Sequence, residues 1–165
     1  MSALYKKVEL IANVAIILVA IMIGVVLVQR FFFAKTAQPP QTVALGSKVS
    51  LSGVEWTKNG KTLLVALQVG CHFCSESAPF YQRVVQTASS KGVKVVAVLP
   101  QPPTESENYL RTLAIPISDV RQASLESLSV GGTPTLILVN EKGEVAGAWV
   151  GKLPRDKEAE VLSRL

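Results

Sequence analysis

Thr62-Leu63-Leu64-Val65-Ala66-Leu67-Gln68-Val69-Gly70-Cys71-His72-Phe73-Cys74 is the stretch on which the reading of the whole chain turns. Thr62–Val69 is a nearly continuous apolar run, the pattern of a central strand covered on both faces rather than of an alternating, half-solvated one. Gly70 breaks the run. From Ser75 to roughly Ser90 the spacing becomes helical, with Phe80, Val84, Val85 and Ala88 on one side. The two cysteines of the chain therefore stand together at a strand-to-helix junction. Free N–H groups and the positive end of the helix dipole lie at such a junction and favour a thiolate over a thiol. A thiolate is the attacking species in disulfide exchange. With two residues between them, the second sulfur can reach and resolve a mixed disulfide. The more N-terminal cysteine is the exposed one in this geometry, so Cys71 is the expected nucleophile and Cys74 the resolving thiol.

Downstream, Gly92 leads into a second buried run, Val93–Leu99. Thr104-Glu105-Ser106-Glu107 has the form of a capping box, which predicts a helix running to about Leu113. Ile115–Ile117 reads as a short strand, Val120–Leu128 as a short helix, and Thr135–Val139 as a third buried strand. Glu141-Lys142-Gly143 turns the chain into Glu144–Val150, and Pro154 opens a last amphipathic helix to Leu165. Upstream, Val43–Trp56, broken by Gly46 and Gly53, reads as a short β-hairpin, and Asn59-Gly60 as a turn. This order predicts an α/β sandwich, a central mixed β-sheet flanked by helices, over residues 44–165.

The N-terminal part has a different character. Leu10–Val28 is apolar with Asn13 as its clearly polar interruption. At roughly 1.5 Å per residue this run nearly matches a hydrocarbon core of about 30 Å, so residues 1–33 are expected to form a membrane anchor spanning at about 10–28. The run exceeds the roughly 7–15 residues of a cleavable signal core, and Ala34 and Ala37 are wrongly spaced for cleavage, which favours an uncleaved signal-anchor. Residues 34–43, with Pro39-Pro40, read as a semi-stiff linker. Lys6 and Lys7 on one side against Arg30 and Lys35 on the other give a slight positive-inside bias. It places the N-terminus in the cytoplasm and the domain outside, in the periplasm for a cell with an inner membrane. The formal net charge is +5. Residues 1–35 hold four Lys/Arg and one acid, which leaves 13 bases against 11 acids beyond them. Those charges are scattered, with no basic stripe for a phosphate backbone, so no nucleic-acid partner is expected.

A Cys-x-x-Cys pair has other readings. A structural disulfide would usually close a longer loop. A zinc site normally takes four ligands, and the chain has one histidine and no second cysteine cluster. Resemblance narrows the choice. Gly70-Cys71-His72-Phe73-Cys74, with Pro79 five residues after the second cysteine, resembles the active-site helix of the thioredoxin superfamily. Gly131-Gly132-Thr133-Pro134-Thr135 resembles its cis-proline loop. The resemblance implies a cis Thr133–Pro134 bond facing the cysteines, with the Thr133 backbone pairing with a substrate peptide. The anchor, Gly46-x-x-Val49-x-Leu51, the expected hairpin and the insertion at 104–117 make the chain most similar to membrane-tethered redoxins of the TlpA/ResA type.

That likeness implies a thiol–disulfide oxidoreductase that exchanges disulfides with protein thiols or disulfides, or with a membrane electron carrier. It would need no cofactor beyond the Cys71–Cys74 disulfide and no metal. His72 between the cysteines, when protonated, would stabilise the Cys71 thiolate and make the pair more oxidising; Phe73 would offer an apolar contact to a partner. Two departures stand out: Gly70 occupies a position usually aromatic, and Thr62–Val69 contains no acid to move the resolving thiol's proton. Glu55 and Glu76 are the nearest acids in sequence. The alternative is a copper metallochaperone on the same fold, since two thiolates suit Cu(I); relatives of that kind use a wider cysteine spacing and a distant histidine. Peroxide reduction would call for Thr-x-x-Cys, and Gln68 stands three residues before Cys71.

Overall fold

The structure, a computed structural model, describes residue 9, residues 15–24 and residues 43–165. It divides into two units, Met1–Pro39 and Pro40–Leu165. In the first, residues 15–24 are helical, and their large apolar side chains, Ile16 and Met22 among them, are exposed. No helix among the described residues is long and apolar enough to cross a membrane. The rest of the span expected at 10–28, and the linker as far as residue 42, lie outside the described residues.

The second unit is built on a five-stranded mixed sheet of order β3-β2-β1-β4-β5. Its strands are β1 (Thr62–Ala66), β2 (Lys94–Leu99), β3 (Asp119–Gln122), β4 (Thr135–Val139) and β5 (Val145–Val150). β1, β2 and β3 run parallel; β4 is antiparallel to β1, and β5 to β4. Within this unit the helices are α1 (Trp56–Asn59), α2 (His72–Glu76), α3 (Ala78–Ser90), α4 (Pro103–Thr112) and α5 (Arg155–Arg164). Every residue of β1 and of β4 is buried. Leu63, Val65, Ala97, Leu99, Leu136 and Leu138 face one core, shared with Phe80, Tyr81 and Val84 of α3, Leu110 of α4 and Val161 of α5. Leu64, Ala66, Val96, Val98, Ile137 and Val139 face the other, covered by Val43, Leu51 and Val130 from loops and Leu128 from a 3₁₀ turn. A strand with a core on each side has no polar face, which is why β1 and β4 read as unbroken apolar runs.

Several expectations are corrected. The expected hairpin at Val43–Trp56 is absent as such. Instead the segment lies along the end of β5, with Lys48 bridging to Glu144, the Gly46 amide donating to Val145 O at 2.8 Å and the Val49 amide to Gly143 O at 2.8 Å. Its end coils into α1, which Gly60 closes in the left-handed region at φ 66°. The helix expected from Ser75 to Ser90 is two helices meeting at Ser77. Pro79 has no N–H to give to Ser75, so the α-helical ladder cannot continue across this point.

The capping box does not form. α4 starts two residues earlier than a Thr104 cap requires, behind Pro102, because Pro103 is already suited to the first helical position. Ser106 instead lies buried inside the helix and donates to Gln101 O at 3.1 Å. Ile115 and Ile117 are buried on either side of exposed Pro116, but the segment is no strand, since Pro116 lacks the donor a ladder needs. Residues read as the helix Val120–Leu128 divide into β3 and a 3₁₀ turn at Glu126–Leu128. There pairing with β2 overrides a helix-like spacing.

Candidate active site: the Cys71–Cys74 pair and the loop before β4

Sheet topology brings the two predicted loops together. Ala66, the last residue of β1, pairs with Thr135, the first of antiparallel β4, so the segments beyond each leave the sheet at the same end. Gly70 turns the first segment at φ 79°, a conformation that glycine adopts without Cβ strain. The glycine at this usually aromatic position therefore carries the turn without strain. Cys71 is then the N-cap of α2, in extended backbone, and its Sγ accepts from the Cys74 amide at 3.2 Å. The two cysteines form a disulfide, with Cα atoms 5.2 Å apart.

The sulfurs are not equivalent. Cys74 is fully buried, whereas Cys71 is partly exposed. Thr133–Pro134 is cis, as the resemblance implied, and the Thr133 carbonyl oxygen lies 3.5 Å from Cys71 Sγ. Thr135 Oγ1 donates to Gly132 O at 2.7 Å, and the Gly151 amide donates to Pro134 O at 2.7 Å. These bonds fasten the cis-proline loop to itself and to the end of β5.

His72 and Phe73 point outwards, with Phe73 54% exposed. His72 Nε2 sits 3.4 Å from Glu76 Oε1, and Lys152 Nζ donates to Glu76 Oε2 at 3.1 Å. The hydrogen bond from Lys152, reinforced by the charges of Lys152 and His72, holds the Glu76 carboxyl below its ordinary range. Glu76 is therefore an anion at neutral pH and a poor acceptor for the proton of Cys74. Glu55 is on the surface beside Lys58. Among the described residues the buried polar side chains are Thr62, Ser77, Ser106 and Thr135, none of them an acid. Tyr81 is buried in the same core as Cys74; burial pushes its phenol well above the ordinary value and keeps it protonated.

The predicted residues Cys71, Cys74, Thr133 and Pro134 are thus brought together, while His72 and Phe73 form the outer rim. Two contacting residues were missed by the sequence reading. Tyr109 of α4 donates from its hydroxyl to Cys71 O at 3.4 Å, and Gln101 Oε1 accepts from the Val69 amide at 3.4 Å. Neither residue belongs to a motif; the insertion at 104–117 was legible, but the reach of its Tyr109 to Cys71, and of Gln101 just before it to Val69, was not.

A bent strand-to-helix disulfide opposite a cis-proline is what a reversible dithiol centre requires: one reachable sulfur, one shielded sulfur and a backbone edge beside them. Comparison with known proteins agrees. The redoxin family model matches residues 34–165. No curated protein matches the chain significantly. Among solved structures the chain is similar to a putative thiol:disulfide interchange protein DsbE from Chlorobium tepidum, at 23% identity and TM-score 0.58, over 73% of this chain and 99% of that one. A thiol:disulfide interchange protein from Bacteroides sp. is similar at 18% identity and TM-score 0.58, over 73% and 90% of the two chains. StoA from Bacillus subtilis is similar at 20% and 0.51, over 74% and 98%. With the fold shared by these neighbours and the family model covering the whole globular unit, the chain belongs to the redoxin family, as a thiol–disulfide oxidoreductase of thioredoxin-like fold.

Proposed function

We propose that the chain is a membrane-tethered redoxin that exchanges disulfides with protein partners outside the cytoplasm, through Cys71. The observation that carries this reading is the asymmetry of the pair: Cys71 is partly exposed 3.5 Å from the Thr133 carbonyl, and Cys74 is sealed beneath it. In the reducing direction the Cys71 thiolate attacks a substrate disulfide and expels one substrate thiolate. Cys74, losing its proton, then attacks Cys71 Sγ and releases the second, so two electrons pass to the substrate and the Cys71–Cys74 disulfide forms. Oxidation of a substrate dithiol is the reverse sequence. The substrate backbone lies along Thr133, and Phe73 offers an apolar contact beside the attacking sulfur. His72, outside the cysteine pair and next to Glu76, adds positive charge to this rim when protonated and tunes the pair.

The tether rests on Leu10–Val28 in the sequence and on the exposed apolar side chains of the helical residues 15–24. The partner is a protein thiol or disulfide, or a membrane electron carrier that re-reduces or re-oxidises the pair. Among the described residues no three His, Cys, Asp or Glu side chains converge, so no observation adds a third donor in favour of the copper reading.

Trapping tests the proposal. In the membrane of the source cell, Cys74→Ser is expected to accumulate mixed disulfides through Cys71 that a reductant releases, and Cys71→Ser to accumulate none. Equal trapping by both variants would overturn the assignment of the nucleophile. Stoichiometric Cu(I) binding lost in Cys71→Ser, with no trapped partner, would replace exchange by metal delivery.

A further inference from the structure

Three donors surround the carbonyl of Cys71. It accepts the first helical bond from the Ser75 amide at 3.2 Å. Two hydroxyls also converge on it, Tyr109 OH at 3.4 Å and Ser75 Oγ at 3.4 Å, and these two are themselves 3.4 Å apart. Two hydroxyl protons can serve only two edges of this triangle. In each of the three ways to place them, the Cys71 carbonyl receives at least one. Ser75 lies on α2 and moves with Cys71. Tyr109 comes from outside, and its helix is anchored: Leu110 is buried in the main core, and Ser106, fully buried, fastens α4 to Gln101 O. Gln101 in turn takes the Val69 amide. The segment between β2 and β3 therefore holds residues 69–71 at two points, one on each side of Gly70.

We propose that Tyr109 is a positioning residue for Cys71, holding the nucleophile in place when the disulfide opens. This rests on the reading of Cys71 as the exchanging sulfur. In the oxidised protein the covalent link to Cys74 fixes Cys71 by itself. Once it is reduced, Cys71 is held by hydrogen bonds: its amide to Gln68 O at 3.2 Å, its carbonyl to Ser75 and Tyr109, and its Sγ to the Cys74 amide at 3.2 Å. α2 has five residues, too few to hold its own first turn rigidly. The phenol tethers that turn to the core, keeps Cys71 Sγ over the Cys74 amide, and draws off the negative end of a carbonyl dipole close to a developing thiolate. All three effects favour the reduced, ionised form over the disulfide.

The test uses the full chain in detergent and the variant Tyr109→Phe, which keeps the ring and removes the hydroxyl. Two quantities are read: the equilibrium of the pair with reduced and oxidised glutathione, and the pH midpoint for alkylation of Cys71 in the reduced protein. The bond is present with the disulfide closed, so the shift reads only how much stronger it becomes on reduction. It is expected towards the disulfide, with the whole worth of an ordinary net hydrogen bond, about three- to ten-fold in the glutathione equilibrium, as its upper bound. The alkylation midpoint is expected to rise with it, while the melting temperature of the oxidised protein stays close to the parent's. Ser75→Ala is expected to shift the equilibrium less, because Tyr109 still reaches the carbonyl. An unchanged equilibrium and midpoint in Tyr109→Phe overturns the proposal, as does an equal loss of stability in both redox states with the midpoint unmoved, the mark of simple packing. If the parent protein does not equilibrate with glutathione at all, the exchange reading fails rather than this one.

Discussion

The centre of the sheet and its edges divide the labour. β1 and β4 are buried on both faces, and the two loops that meet at Cys71 spring from their adjoining ends. β3, at one edge, is half-buried, and β5, at the other, alternates between buried and partly exposed residues. From the edges and insertions come the groups that surround the sulfurs without being part of the pair: Lys152 beyond β5, and Tyr109 and Gln101 between β2 and β3. The nucleophile and the cis-proline loop thus spring from strands buried on both faces, and the groups that surround them come from the sheet's edge and from the segment between β2 and β3. A site needs its reacting groups held within fractions of an ångström, and packed central strands supply that rigidity.

The largest break in this comparison is expected from the core itself. Leu64 is fully buried at the middle of β1, facing the loop-covered core. Leu64→Ala is expected to lower stability by about 2–5 kcal/mol through lost burial and the cavity left behind. Val120→Ala, on half-buried β3, is expected to cost less than about 1 kcal/mol, since its neighbours can close over the gap. Urea unfolding of the purified chain, followed through buried Trp149, measures both. Similar losses at the two positions would show that centre and edge are equally constrained.

The same division explains what the sequence made legible. A strand with two apolar neighbours writes an unbroken hydrophobic run, so Thr62–Ala66 and Thr135–Val139 lie where the runs stand. The cysteine pair and Pro134 were legible because spacing and motif carry them locally. Edge structure is settled by pairing that no local pattern records: Val120–Gln122 looked like the start of a helix and became part of β3 by lying beside β2, and Val43–Trp56 found its partner across the chain at Glu144. Tyr109 was illegible for the same reason, since its contact with Cys71 joins residues 38 apart through the packing of α4.

A finer contrast lies between the two loops at the sulfur. Gly70 sits at φ 79° with open space where a Cβ would stand, so Gly70→Ala meets conformational strain and no clash. It is expected to destabilise by about 1–2 kcal/mol. Gly132, in the opposing loop, also has open space and no positive φ, so Gly132→Ala is expected to be neutral or slightly stabilising. Thermal unfolding of the two variants side by side checks this. An equal cost at both would mean that the first loop can relax its backbone around Cys71.

The smallest effect belongs to the far edge, where Asp119 pairs with Lys94 at 2.8 Å and Arg121 at 2.7 Å. Desolvation pushes the Asp119 carboxyl up, but the hydrogen bonds and charges of Arg121 and Lys94 together outweigh it and leave the group below its ordinary range. A carboxyl whose folded pKa is lowered binds its proton more weakly in the folded chain than in the unfolded one. Its contribution is therefore fully present above the unfolded value of about 3.9 and is lost as pH falls through the folded value. Asp119→Asn should then cost about 1 kcal/mol or less at pH 7 and flatten the decline in stability below about pH 4. Because this cluster lies on β2 and β3 and makes no bond to residues 69–76, the exchange rate of Cys71 at pH 7 should not change. A slower exchange in Asp119→Asn would show that strain at the edge of the sheet reaches the sulfur through β2, and the division between centre and edge would no longer hold.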